Sequence, residues 1–142
     1  MKIFLDTNVL IKYIYFNDRT ISDILEYSTL NWNDTVICTD EYCLIELVNV
    51  LHKKRCRVRK EWEHAVKCID MLLDFNNVKI IVNSQKTVYK YKTRDPKDDR
   101  ILSSAVDNKA DVLLTEDKDL LEYKSSPITI ITPANLVNRL WK

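Results

Sequence analysis

At 142 residues the chain is one domain, residues 1–142, with room for a full hydrophobic core. Hydrophobic residues make up 46% and charged residues 30%, and every apolar run is far too short to span a bilayer. A net charge of +1 excludes a global basic field, and a glycine count of zero excludes the P-loop and the dinucleotide-binding glycine fingerprint.

The chain opens with Ile3-Phe4-Leu5 running into Asp6-Thr7-Asn8. A short apolar run ending on an acid reads as a buried strand, Lys2–Leu5, that delivers a carboxylate to its C-terminal edge. Further strands are predicted at Val36–Cys38, Val78–Val82, Val112–Leu114 and Ile128–Ile131, all short and rich in Ile and Val. Helical patterns fill the intervals: Val9–Phe16, Ile21–Leu30, a helix capped by Thr39 with Asp40 and Glu41 in its first turn, Glu61–Phe75, Lys97–Lys109, and Pro133–Trp141. Strands alternating with helices predict an α/β domain with a mainly parallel sheet of about five strands. Without glycine, left-handed turn positions must fall to Asn or Asp, and Asn17-Asp18, Asn33-Asp34 and Asn76-Asn77 sit where turns are wanted. The residues Tyr13, Ile14, Tyr15, Phe16, Ile21, Ile24 and Leu25 are expected to be mostly core, with one or two exposed.

Cysteines 38, 43, 56 and 68 form no CxxC pair and are read as reduced core or surface thiols. No signal-peptide pattern follows Met1, so a cytoplasmic location is expected. His52 and His64 sit among charged helix residues and are read as surface.

Four acidic positions carry the chemistry. Asp6 ends the first strand. Glu46 lies in the apolar stretch Leu44-Ile45-Glu46-Leu47-Val48, where an unpaired carboxylate is costly to bury. Asp98 and Asp99 open a helix after Asp95-Pro96. Asp117 follows Val112–Leu114, as Asp6 follows its own strand, with Asp119 close by. Helix capping and dipole chemistry account for single members of this set. Four acids converging on one sheet edge repel one another and call for a cation. An all-oxygen set with no His or Cys cluster suits Mg²⁺ or Mn²⁺ rather than zinc.

The segments Ile3-Phe4-Leu5-Asp6-Thr7-Asn8-Val9-Leu10, Glu46-Leu47-Val48-Asn49-Val50-Leu51, Asp95-Pro96-Lys97-Asp98-Asp99-Arg100-Ile101-Leu102 and Asp111–Leu121, in this order, resemble the PIN domain family, in particular the VapC-like toxins of prokaryotic toxin–antitoxin pairs. The resemblance implies a three-layer α/β/α fold and a metal-dependent endoribonuclease using one or two Mg²⁺ or Mn²⁺ ions. It implies Asp6, Glu46, Asp99 and Asp117 as the four catalytic and metal-binding acids, Asp99 being preferred to Asp98 because its spacing to Thr115 and Asp117 fits the family pattern better. Asp119 is the fallback for the fourth acid. Thr7, Asn8 and Thr115 resemble the family's supporting polar residues. Where many members carry glycine, this chain has Asn108-Lys109-Ala110 and Glu116.

The expected partners are RNA, a small antitoxin protein and a second copy of the chain, with no membrane. Lys53, Lys54 and Arg55, in the basic stretch after the Glu46 helix, are candidates for the RNA backbone, as are Arg94 and Arg100, with Lys92 and Lys97, beside the third acid. Two other readings are weighed. A haloacid dehalogenase-type phosphatase needs a second Asp two residues after the first, where this chain has Asn8. A non-catalytic PIN-like module for RNA or protein binding would not need all four acids.

Overall fold

The computed structural model describes residues 1–75, 77–82 and 91–141, with the backbone but not the side chain of Lys54. Five strands form one all-parallel sheet: β1 (Lys2–Leu5), β2 (Val36–Asp40), β3 (Val78–Ile81), β4 (Val112–Leu114) and β5 (Thr129–Ile131), in the order β3-β2-β1-β4-β5. Helices α1 (Thr7–Ile14), α2 (Arg19–Leu30), α3 (Glu41–Val50), α4 (Arg59–Asp74), α5 (Pro96–Asp107), α6 (Lys118–Leu121) and α7 (Pro133–Leu140) complete a three-layer α/β/α domain. A π-helical turn, Leu51–Arg55, extends α3. Among the described residues no helix is long and apolar enough to cross a membrane.

The sheet is central because its strands are apolar on both faces. Ile3, Phe4, Leu5, Ile37, Cys38, Leu113 and Leu114 are almost fully buried, as parallel strands covered by helices on both sides must be. Helix stripes close the core, with Val9 and Leu10 from α1, Ile21, Ile24 and Leu25 from α2, and Ile101, Leu102 and Ala105 from α5. Of the aromatic-rich segment after β1, Ile14 is buried, Tyr13 is partly buried, and Tyr15 and Phe16 are exposed. His52 and His64 are exposed.

The predicted strands and helices all form, with ends shifted by a few residues. Thr39 is not the cap of α3. It is the fourth residue of β2, and its buried hydroxyl donates to the Leu5 carbonyl at 2.9 Å. Asp40 ends the strand and is itself the cap, accepting from the Cys43 amide at 2.8 Å. The short helix α6 follows Asp117, which caps it.

The glycine-free turns are solved in two ways. Asn17 takes the left-handed conformation, with φ of 54°, as expected of Asn. Asn33-Asp34 turns without a positive φ; Asn76, of the third pair, lies outside the described residues. The second left-handed residue is Lys109, with φ of 59°, in the turn that leads from α5 into β4. A side chain with a Cβ is disfavoured there by about 1 kcal/mol. Lys109→Gly is therefore expected to stabilise the fold by about 0.5–1 kcal/mol, net of the added freedom of the unfolded chain. Asn108→Gly, at a position with φ of −91°, should stabilise nothing. Paired urea melts check this; equal effects at the two positions would remove the strain argument.

Candidate active site

The chain crosses from β1 to β2 on one side of the sheet and returns to β4 on the other, which puts a crevice at the C-terminal ends of β1 and β4. The register pairs Leu5 with Leu114, so Asp6 and Thr115 emerge side by side. Asp6 is 3% exposed and Thr115 fully buried.

Asp6 is locked at both oxygens. Oδ1 accepts from the Thr7 amide at 2.6 Å, which caps α1. Oδ2 accepts from Thr115 Oγ1 at 2.7 Å and from Asn8 Nδ2 at 3.3 Å. Thr115 Oγ1 in turn accepts from the Asp117 amide at 3.0 Å, and Asn8 Oδ1 accepts from the Glu116 amide at 3.2 Å. One hydroxyl and one carboxamide thus tie the loop after β4 to the loop after β1.

Asp117 caps α6 by accepting from the Asp119 amide at 2.8 Å. Asp98, Asp117 and Asp119 each place a carboxylate oxygen so that all three lie within 4.8 Å of one another. Glu46 is half-buried on α3, near enough for its charge to act on Asp6.

The two aspartates that open α5 are placed differently. Asp98, not Asp99, faces the crevice. Asp98 is 3% exposed, and its Oδ2 meets no donor among the described residues. Asp99 turns the other way and accepts from both the amide and the hydroxyl of Thr93, the latter at 2.7 Å. The reason is helical register. The core stripe of α5 is Ile101, Leu102 and Ala105, and stepping back three or four residues from Ile101 and Leu102 reaches 98. That periodicity was present in the sequence and outweighs the loop spacing that favoured Asp99.

The electrostatics follow from this crowding. Burial pushes the Asp6 carboxyl up to about 6, with the charges of Glu46 and Asp117 adding and the hydrogen bonds from Thr115 and Thr7 opposing. Burial, then the charges of Asp117, Asp6 and Asp95, push Asp98 up to about 7, and Asp117 is close enough to share a proton with it. A buried oxygen without a donor, ringed by carboxylates, fits a hard divalent cation. Asp98, Asp117 and Asp119 are the residues whose oxygens converge closely enough to hold one, with Asp6 and Glu46 acting on the cluster by their charge.

The basic candidates separate. Lys53 and Lys97 line a cleft of about 380 Å³ between α3 and α5, together with Glu46. Arg55 lies over the rings of Tyr15 and Phe16, with distances of 5.9 and 5.3 Å to the centroids. The side chain of Lys54 lies outside the described residues. Arg94 is exposed and pairs with Asp119 at 3.6 Å and Glu122 at 3.9 Å. Lys92 lines a shallow cleft with Arg94 and Asp119. Arg100 is committed elsewhere: its guanidinium pairs with fully buried Asp40 at 3.0 Å and lies 4.9 Å from the Tyr42 ring centroid.

The sequence profile of a family described as PIN domain matches residues 2–119. The structure is similar to that of VapBC2 from Rickettsia felis bound to a DNA fragment from their promoter, with a TM-score of 0.67 and 20% identity over 93% of this chain and 98% of that one. No match is found among curated protein sequences.

The raised carboxyls set the sign of the pH dependence. Groups whose folded pKa lies above the ordinary value of 3.8 favour the folded state at low pH, and that contribution is lost as pH rises through about 6 for Asp6 and about 7 for Asp98. Without divalent metal, the part of the stability owed to these groups should fall between about pH 4 and pH 7. Asp98→Asn should flatten that fall and raise the melting temperature at the upper end. Mg²⁺ should stabilise the parent protein more at the upper pH than at the lower, and the Asp98→Asn protein far less at either. Thermal melts with and without Mg²⁺ check both. An unchanged Mg²⁺ shift in Asp98→Asn would remove the acids as the cation site.

Proposed function

The chain belongs to the PIN domain family, and from that premise we propose that it is a Mg²⁺- or Mn²⁺-dependent endoribonuclease, the toxin of a VapBC-type pair, acting in the cytoplasm. The observation that carries the proposal is the buried Asp98 oxygen without a donor, set against Asp117 at the end of β4 and charge-coupled to Asp6. A fold needs no such arrangement for stability. Three carboxylates brought together by two parallel strands and a helix cost free energy unless a cation is taken up.

One or two ions held by Asp6, Asp98, Asp117 and Asp119, with Glu46, would lower the pKa of a bound water and offset charge on the phosphoryl oxygens. The protein's own contribution is positional. Thr115 and Asn8 hold Asp6 in one rotamer, so its Oδ2 does not reorganise as charge develops in front of it. Asp117 is fixed through its cap on α6 and through Thr115. Thr7 supplies the amide that fixes Asp6 Oδ1. Among the described residues no side chain is placed as a nucleophile beside the acids, which suits direct attack by water on the phosphodiester. In this reading Asp99 is a positioning residue. It fixes Thr93, next to Arg94, and Arg94 reaches Asp119. The proposed protein partners are a small antitoxin and a second copy of the chain.

Cleavage of a mixed RNA substrate in Mg²⁺ or Mn²⁺, stopped by EDTA, is the first expected result. Asp6→Asn and Asp98→Asn should each lower the rate by about a hundredfold or more. Asp99→Asn should cost much less, through the Thr93 loop alone. A larger loss at Asp99 than at Asp98 would return the third acid to Asp99. Full activity in Asp6→Asn would end the nuclease proposal.

A further inference from the structure

Asp40 and Arg100 form the most deeply buried ion pair among the described residues, and neither belongs to the acid cluster. Asp40 Oδ2 accepts from Arg100 Nη1 at 3.0 Å, with the Asp40 side chain fully buried and that of Arg100 16% exposed. Such a pair is a poor way to stabilise a fold. Taking both charges out of water costs about as much as their attraction contributes, and apolar side chains of similar volume often serve as well. Its place in the fold supplies a different reason for it.

Asp40 divides its oxygens as Asp6 does. Oδ1 accepts from the Cys43 amide at 2.8 Å and starts α3, the helix that carries Glu46. Oδ2 holds Arg100, two residues after Asp98 on α5. Arg100 Nη2 also reaches Cys43 Sγ at 3.9 Å, and the guanidinium lies 4.9 Å from the Tyr42 ring centroid. Arg100 is therefore bound to the first turn of α3 at several points. Asp40 is itself anchored. It ends β2, and the hydroxyl of the preceding Thr39 donates to the carbonyl of Leu5, the residue before Asp6. Arg100 lines a cleft of about 380 Å³ between α3 and α5, so close packing does not set the spacing of the two helices there. Asp98 needs that spacing set. Its Oδ2 meets no donor among the described residues, and the charges of Asp117 and Asp6 bear on it. Glu46 bears in the same way on Asp6.

We propose that the Asp40–Arg100 pair is a strut that fixes α3 against α5, and so positions Glu46 and Asp98 around the cation against the repulsion of the acids. The inference rests on the reading of the acids as a divalent-cation centre, and it assigns two positioning residues to that centre. Neither side chain touches the ion. Arg100, expected from the sequence to meet the RNA backbone, acts instead through the direction in which α5 presents Asp98.

The test separates positioning from stability. Asp40→Asn keeps the cap on α3, since Asn caps as well as Asp, and removes the charge opposite Arg100. Arg100→Met leaves the Asp40 carboxylate buried without its cation and should melt well below the parent in the absence of metal. The double variant Asp40→Asn, Arg100→Met buries no charge at this place and should regain most of that melting temperature. Mn²⁺ binding is then measured by electron paramagnetic resonance, at a temperature where circular dichroism shows each protein folded. All three variants, the stable double variant included, should bind Mn²⁺ about ten- to a hundredfold more weakly than the parent. Arg100→Lys keeps a cation opposite Asp40 and should bind Mn²⁺ more tightly than Arg100→Met. In RNA cleavage kcat should fall in all three variants while KM stays near the parental value. Parental Mn²⁺ affinity in the double variant would make the pair a packing element and refute the strut. A raised KM in Arg100→Met that Asp40→Asn does not share would make Arg100 an RNA contact and refute it equally. The cation reading is tested separately, by the parent and Asp98→Asn. A parent that binds no Mn²⁺, or an Asp98→Asn protein that binds as well as the parent, overturns that reading and the strut with it. A parent whose binding needs Asp98 but ignores Asp40 and Arg100 overturns the strut alone.

Discussion

Three carboxylates share one buried corner of this molecule, and their mutual repulsion is the constraint around which the rest is arranged. Asp6 and Asp117 arrive there because β1 and β4 are parallel neighbours that end together. Asp98 arrives as the first member of the core stripe of α5. Burial first, and the charges of the neighbouring acids after it, raise Asp6 to about 6 and Asp98 to about 7. What keeps the corner from opening is the pair of links between the two strand ends: Thr115 to Asp6 and Asn8 to the Glu116 amide. Such links hold the acids apart from water and fixed in direction. That is the state in which a cation gains most by binding and loses least to reorganisation.

The same sheet edge carries other charges, and their fates differ by partner. Asp40 ends β2 one strand away from Asp6 and is more deeply buried, yet it stands outside the acid cluster and is paired with Arg100. Glu116 is drawn outward by Lys12 at 2.9 Å. Asp119 sits between the acid cluster and Arg94. Cations thus surround the acid corner without entering it. The acids left uncompensated form a compact negative centre with positive groups at its margins, the charge pattern required where a metal ion and a polyanion meet.

Much of the fold was legible because buried parallel strands leave an unambiguous trace. Lys2–Leu5 and Val112–Leu114 are short Ile, Val and Leu runs bounded by polar residues, and their ends fall where the sequence puts them. The site was legible in its parts but not in its register. Two adjacent aspartates open α5, and local spacing does not distinguish them. The distinguishing fact is the stripe Ile101, Leu102 and Ala105 further along, a tertiary signal carried in helical period. Arg100 and Tyr42 were illegible for a different reason. Their pairing joins residues 58 positions apart across two helices, and no local pattern encodes it. Thr39 misled because a hydroxyl before Asp-Glu reads as a cap, while the sheet claimed it as a strand residue bonded to Leu5.

Capping and cation binding look like competing explanations for an aspartate at the end of a strand, and the structure shows why they are compatible. A carboxylate has two oxygens. Asp6 gives Oδ1 to the Thr7 amide and turns Oδ2 into the crevice; Asp117 gives Oδ1 to the Asp119 amide while contributing to the acid cluster. The cap fixes the rotamer, and the fixed rotamer aims the second oxygen. In a chain with no glycine, the tight turns from strand to helix cannot rely on a permissive backbone. An Asp that satisfies the first amides of the following helix stabilises the turn instead. The residue type that closes these turns is therefore also the residue type that gathers in the acid cluster. At the C-terminal edge of this sheet, the chemistry of helix initiation and the chemistry of the site draw on the same side chains.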